Sequence, residues 1–140
     1  MATYNKIQDF SEQLVRGIHD WDLHVFKVML SNSAPLVSNT VKADLTEIAS
    51  GNGYSAGGSV TTITIAEVTG TTTVQGSSVV ITAGGGSIGP FRYVTLYNDS
   101  AASKNLIAFW DYGTNITLND GESFTIKFNN SNPGTVFTLL

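Results

Sequence analysis

Between Gly84 and Gly113 the chain reads GGGSIGPFRYVTLYNDSAASKNLIAFWDYG. A glycine turn and a proline lead into a run of aromatic and branched residues. A polar turn follows, and a second such run ends at a glycine. Aromatic and β-branched side chains suit a pleated, half-buried surface, and a short polar turn between two such runs makes them antiparallel neighbours. A chain containing this pair must build a sheet around it. The polar residues of the segment form no recognisable catalytic set, so it speaks for architecture rather than chemistry.

The flanking sequence extends the pattern. Ile7, Phe10, Leu14 and Ile18 recur at three- and four-residue steps and predict an amphipathic helix over 7–18, ended by Gly17 and the polar His19-Asp20. From Leu23 the period becomes two. Phe26, Val28 and Leu30 then share one face, and Leu23, Val25, Lys27 and Met29 the other. Residues 42–49 have room for a second short helix, with Leu45 and Ile48 three apart, and GNGYSAGG at 51–58 reads as a loop. After it, strands are expected at 59–68, 71–75, 78–82, 91–97, 106–112, 123–128 and 136–140. TTTVQ and SVVIT would pair around Gly76, and Asp120-Gly121 would make a tight turn.

Short strands with turns about every eight to twelve residues imply a mainly β fold, an antiparallel β-sandwich or a jelly-roll-like barrel. At 140 residues the chain is expected to form one domain, with an N-terminal helical segment over 1–22 and the β-sandwich over 23–140. For a mass of 14.9 kDa, surface scaling gives roughly 7,000 Å² folded against about 21,600 Å² unfolded, enough burial for a core without cross-links.

Composition removes several functional classes. There is no Cys, which excludes disulfides, Cys-ligated zinc and thiol catalysis. Charged residues are 13% of the chain, about half the usual share, so solubility rests on Ser, Thr, Asn and Gly. A net charge of -4, with Lys6, Arg16, Lys27, Lys42, Arg92, Lys104 and Lys127 scattered, gives no basic footprint for nucleic acid or an anionic membrane. No apolar run approaches a membrane span, and MATYNKIQDF has no apolar h-region, so no signal peptide is expected. The sequons at Asn98, Asn115 and Asn129 then read as chance in an Asn/Ser/Thr-rich chain.

Five groups of residues invite a chemical reading. Gly85-x-Ser87-x-Gly89 matches the hydrolase elbow G-x-S-x-G, but that motif needs a helix and a His after it. Here Pro90 and a strand follow, and both histidines lie upstream. Gly51-x-Gly53-x-x-Ala56 fits a loose dinucleotide fingerprint in the wrong context, because strands follow where a helix is required. His19, Asp22 and His24 are the best metal candidates, since imidazole and carboxylate suit several divalent ions and Asp22 and His24 would share a strand face. Asp111 with Asp120 or Glu122 could approach across a hairpin as glycosidase chemistry needs, against the commoner role of acids near turns as caps. Trp21, Tyr93, Tyr97, Trp110 and Tyr112 could form a sugar-stacking face or simply pack the sheet. Weighed together, these predict no catalytic residue and no cofactor.

A resemblance goes further than the residues do. GGGSIGPFRYVTLYND, then NLIAFWDYG, then DGESFTIKF, preceded by VMLSNSAP and VKADLTEIASGNGYSAGG, resembles a family of small virion proteins of tailed bacteriophages over nearly the whole chain. The resemblance implies a structural component of the virion, on the capsid exterior as a decoration or cement protein, made in the host cytoplasm. Its implied partner is the major capsid protein, and its implied state a homo-oligomer, a trimer in the first instance. A tail, neck or head-fibre component, or a carbohydrate-binding sandwich, are the alternatives. No functional residue is carried over from the family.

Overall fold

The computed structural model describes residues 2–140. It is mainly β, with β1 Thr3–Lys6, α1 Phe10–Val15, β2 Phe26–Ser31, β3 Ser59–Thr61, β4 Ile63–Val68, β5 Thr71–Gly76, β6 Val79–Thr82, β7 Ile88–Asn98, β8 Leu106–Leu118, β9 Ser123–Ile126 and β10 Gly134–Leu139. All pairings are antiparallel. One sheet has the order β1-β8-β7-β2-β3, a second β10-β5-β4, and a third β6-β9.

The aromatic hairpin of the sequence is β7 and β8, the two longest strands, joined through the turn at 99–105. β7 is the centre of the five-stranded sheet, and from Val94 to Asn98 every side chain is buried, so both faces of the strand are covered. On one face Trp110 meets Phe128 with ring centroids 5.4 Å apart, and Phe91 meets Phe124 at 5.1 Å, joining the large sheet to the β9 region. On the other side lies the long connection between β2 and β3. Tyr97 Oη donates to the Gly57 carbonyl at 2.5 Å, and the Leu30 N–H donates to Tyr54 Oη at 3.0 Å. Met29 is as fully buried as Val28 and Leu30, so both faces of β2 are covered there and not only the one that Phe26, Val28 and Leu30 share.

Several sequence expectations need correction. The helix predicted over 7–18 is only Phe10–Val15. Ile7 instead continues the β1–β8 ladder, its N–H donating to the Ile107 carbonyl at 3.1 Å, and Gly17, at φ 71, ends the helix. The N-terminal segment is not a helical unit, since β1 is the edge strand of the main sheet against β8. The second helix, expected within 42–49, is a single 3-10 turn at Lys42–Asp44, with the Asp44 carboxylate accepting from the Thr40 and Val41 N–H groups. β5 and β6 do not pair with each other. β5 takes β4 and β10, and β6 takes β9. Alternation marks a strand's two faces and says nothing of its partner.

Glycines in the 51–58 loop allow it to lie against backbone. At Gly58, φ is +80, and a Cβ would sit 1.8 Å from the Val28 carbonyl oxygen. The folded surface of 7066 Å² matches that expected for a globular chain of this mass. Gly58→Ala should cost about 2 kcal/mol or more, through a left-handed backbone and a clash with a carbonyl that cannot move. Gly84→Ala, at a position with open space around it, should change stability by less than about 0.5 kcal/mol. Urea denaturation of the two variants beside the parent measures both.

Candidate functional site

Two polar or aromatic constellations stand out. The first is a groove of about 790 Å³ beside β8. Tyr4 of β1 lies opposite Trp110 in the ladder, and the two rings are 5.5 Å apart. Tyr112 follows on the same strand, and Phe137 of β10 closes the end. Thr125, Lys127, Asn129, Asn130 and Thr135 supply its polar wall.

A wide bulge presents Tyr112. The ladder jumps from Tyr93↔Asp111 to Phe91↔Ile116, so residues 112–115 bow out of register. The bow is fastened at its base. Arg92 grips Asp111 with two N–H donors at 2.8 and 3.1 Å, and the Gly113 N–H donates to the same carboxylate at 2.7 Å. The Arg92 hydrogen bonds, then that of Gly113, hold the Asp111 carboxyl below its usual range. Burial pushes the Tyr4 and Tyr112 phenols up, which leaves both as neutral donors at ordinary pH.

The second constellation is a buried polar cluster around Asn98. Its Oδ1 accepts from the Ser100 and Ala101 N–H groups at 3.0 and 3.1 Å. Its Nδ2 must therefore donate, and it does so to His19 Nδ1 at 3.0 Å and His24 Nδ1 at 2.9 Å. His19 then carries its proton on Nε2, which donates to Gln13 Oε1 at 2.6 Å, and Gln13 Nε2 donates to Asp9 at 3.0 Å. Burial, then the neighbouring His24, lowers the His19 pKa to about 4.

Of the metal candidates, the structure brings His19 and His24 together but places an amide N–H donor where an ion would sit. Asp22 is exposed in the turn before β2 and not on a strand with His24; its N–H serves Asp20 Oδ1 at 3.0 Å. Among the described residues no group of three or more His, Asp or Glu side chains is placed to hold a metal.

The remaining candidates are dispersed. Ser87 precedes β7 at one end, while both histidines bind Asn98 at the other, roughly 30 Å away at strand rise. Asp120 accepts from the Gly85 N–H at 2.9 Å and Glu122 from the Asn119 N–H at 2.7 Å, so both cap turns. Asp111 is committed to Arg92. The glycines at 51–53 form a turn docked on the Gly84–Gly86 turn, with Asn52 Nδ2 donating to the Ser87 carbonyl at 2.9 Å. Of the three sequons, Asn98 is fully buried. Of the five aromatics, Trp110 and Tyr112 line the groove. Trp21 stacks on Phe26 at 4.3 Å, Tyr97 is buried, and Tyr93 lies under Arg92. Tyr4 and Phe137 join the groove from distant parts of the chain, and nothing in their local sequence marks them. Among the described residues, no helix is long and apolar enough to cross a membrane. No family model, curated protein or solved structure matches the chain.

The buried imidazole makes stability depend on pH with a definite sign. Above pH 6.5 His19 is neutral in both folded and unfolded chains, and its contribution is complete. As pH falls from 6.5 towards 4, the unfolded chain takes up a proton that the folded one refuses. The parent should lose about 3 kcal/mol over that range by this route, and His19→Gln should lose clearly less, read from denaturation curves at each pH. Asn98→Ala removes all four hydrogen bonds of a buried amide and should cost about 3 kcal/mol or more at pH 7, by the same measurement.

Proposed function

We propose that this protein is a structural component of a tailed-bacteriophage virion, a decoration protein on the capsid exterior that bridges neighbouring subunits of the major capsid protein. The observation that carries this reading is the ordered series of motifs, from VMLSNSAP to DGESFTIKF, that resembles small phage virion proteins. Those motifs supply β2, the 41–58 connection, β7, β8 and β9, which form much of the frame of the domain. We read the arrangement as a β-sandwich, the five-stranded sheet facing the β6–β9 sheet through Phe91–Phe124 and the segment after β9 through Trp110–Phe128.

Such a function needs a stiff body and an outer surface rather than a reacting group. The candidate reacting groups of the sequence are spent on turns, ion pairs and the Asn98 cluster, in support of that reading. Leu23, Val25 and Val60 leave apolar surface exposed near the short edge strand β3, where Val60 lies opposite Lys27. A contact of standard size buries roughly 1,600 Å² in total, and a symmetric trimer would multiply modest contacts through avidity.

Quantitative mass spectrometry and electron cryomicroscopy of purified particles test the reading. A copy number comparable with that of the major capsid protein, and density on the shell, are the expected outcome. Particles lacking the protein should lose infectivity at temperatures and osmotic shocks that complete particles survive. Unchanged resistance would remove the cement role, and a copy number matching a vertex or tail would move the protein there.

A further inference from the structure

We propose that the groove beside β8 is a saccharide site that takes a short run of neutral pyranose rings. The inference rests on the groove's own chemistry and not on the virion reading. At about 790 Å³ the groove falls within the range of small-ligand sites, about 300–1,000 Å³. Five aromatic side chains, Tyr4, Trp110, Tyr112, Phe128 and Phe137, line it.

The rings of the groove are not stacked in parallel on their neighbours. Tyr4 is tilted 57° to Trp110, Trp110 65° to Phe128, and Tyr112 66° to Phe124. Tilted pairs also pack the core, with Phe10–Phe137 at 79° and Phe91–Phe124 at 66°, while Trp21 and Phe26 stack at 5°. A pyranose presents a face of C–H groups that lies well on an aromatic ring, and it carries a rim of hydroxyls that both donate and accept.

The polar wall answers that rim. Asn129 and Asn130 occupy successive left-handed positions, φ 48 and 54, in a tight turn closed by the Ser131 N–H to the Phe128 carbonyl. Both are exposed, and a carboxamide offers a donor and an acceptor in one plane. Thr125 and Thr135 add hydroxyls, and among the described residues Lys127 is the one charged side chain lining the groove and no carboxylate lines it. A wholly apolar ligand would leave this wall without partners. The Trp110 floor offers an extended peptide no free backbone, because Trp110 is paired with Val94 on one side and Tyr4 on the other; β1 and β10, which end their sheets, are the edges a peptide would take, and the test separates that outcome.

The test is binding of the full chain to an array of neutral cello-, malto- and chito-oligosaccharides, followed by titration of the best binder with amide and indole N–H resonances recorded. Saturable shifts are expected at the Trp110 indole and at Asn129 and Asn130. Trp110→Ala should weaken binding about tenfold, the scale of one aromatic contact. Asn130→Gly keeps the left-handed backbone, removes the carboxamide and should weaken binding about threefold, a readout that survives if Trp110→Ala fails to fold. Val68→Thr, at the exposed tip of the β4–β5 hairpin and outside the groove lining, should leave affinity unchanged. Binding to no neutral glycan, binding only to acidic glycans or to an extended peptide, or affinity unchanged in Asn130→Gly would each overturn the proposal.

Discussion

The fully satisfied amide of Asn98 holds together parts of the chain that have little stability of their own. A six-residue helix is far too short to persist in water, and the 99–105 turn is polar and largely exposed. One buried side chain serves both. Its oxygen closes the start of the turn, and its nitrogen reaches the two histidines that follow α1. His19 passes the connection to Gln13 inside the helix. A buried polar group costs stability when unpaired, so this network is stable only with every member present. Beside it, Asp99 ties Lys27 of β2 and Lys104 of the turn, at 3.2 and 2.7 Å. The Asn-Asp pair of the LYND motif is thus the fastening of the main sheet.

A second polar node does the same for the long connection between β2 and β3. Glu47 accepts from Tyr54 Oη at 2.6 Å and from the Gly57 N–H at 2.7 Å, and it pairs with Lys42 at 3.3 Å. Tyr54 in turn receives the Leu30 N–H, which has no strand partner beyond the end of β3. Burial, then the hydrogen bond to Glu47, pushes the Tyr54 phenol up, so it stays protonated and can donate. The connection is held by its backbone and a few polar side chains, which lets it lie flat on the sheet where glycine permits.

The division of labour between frame and groove follows from this. The residues that carry the phage-protein resemblance are spent largely on the frame: Arg92 on Asp111, Asn98 on two histidines, Tyr97 on Gly57. The groove draws on β1, the bulge of β8, the turn after β9 and β10, and Thr125, Lys127, Asn129 and Asn130 in its wall are exposed. A frame so fastened can hold an aromatic surface open to solvent without collapsing onto it.

The hairpin of β7 and β8, the strand at β2, the loop at 51–58 and the mainly β class were legible in the sequence, because period-two patterns and glycine turns are local signals. The irregular jobs of Gly17 and Asp120 were legible too, as a helix end and a turn. The partners were not. β5 and β6 carry no mark of going to different sheets, and β1 has too few residues to show a period. The groove was half visible, in Trp110 and Tyr112, since residues two apart on one strand share a face. Tyr4, Phe137 and Asn130 reach it only through the tertiary path of the chain. The histidines were visible as polar residues at a junction, but their chemistry was decided by Asn98, far along the chain. Side-chain type and spacing determine which elements a chain can form, while burial and long-range pairing decide whether an imidazole is a ligand, a base or a neutral hydrogen-bond acceptor.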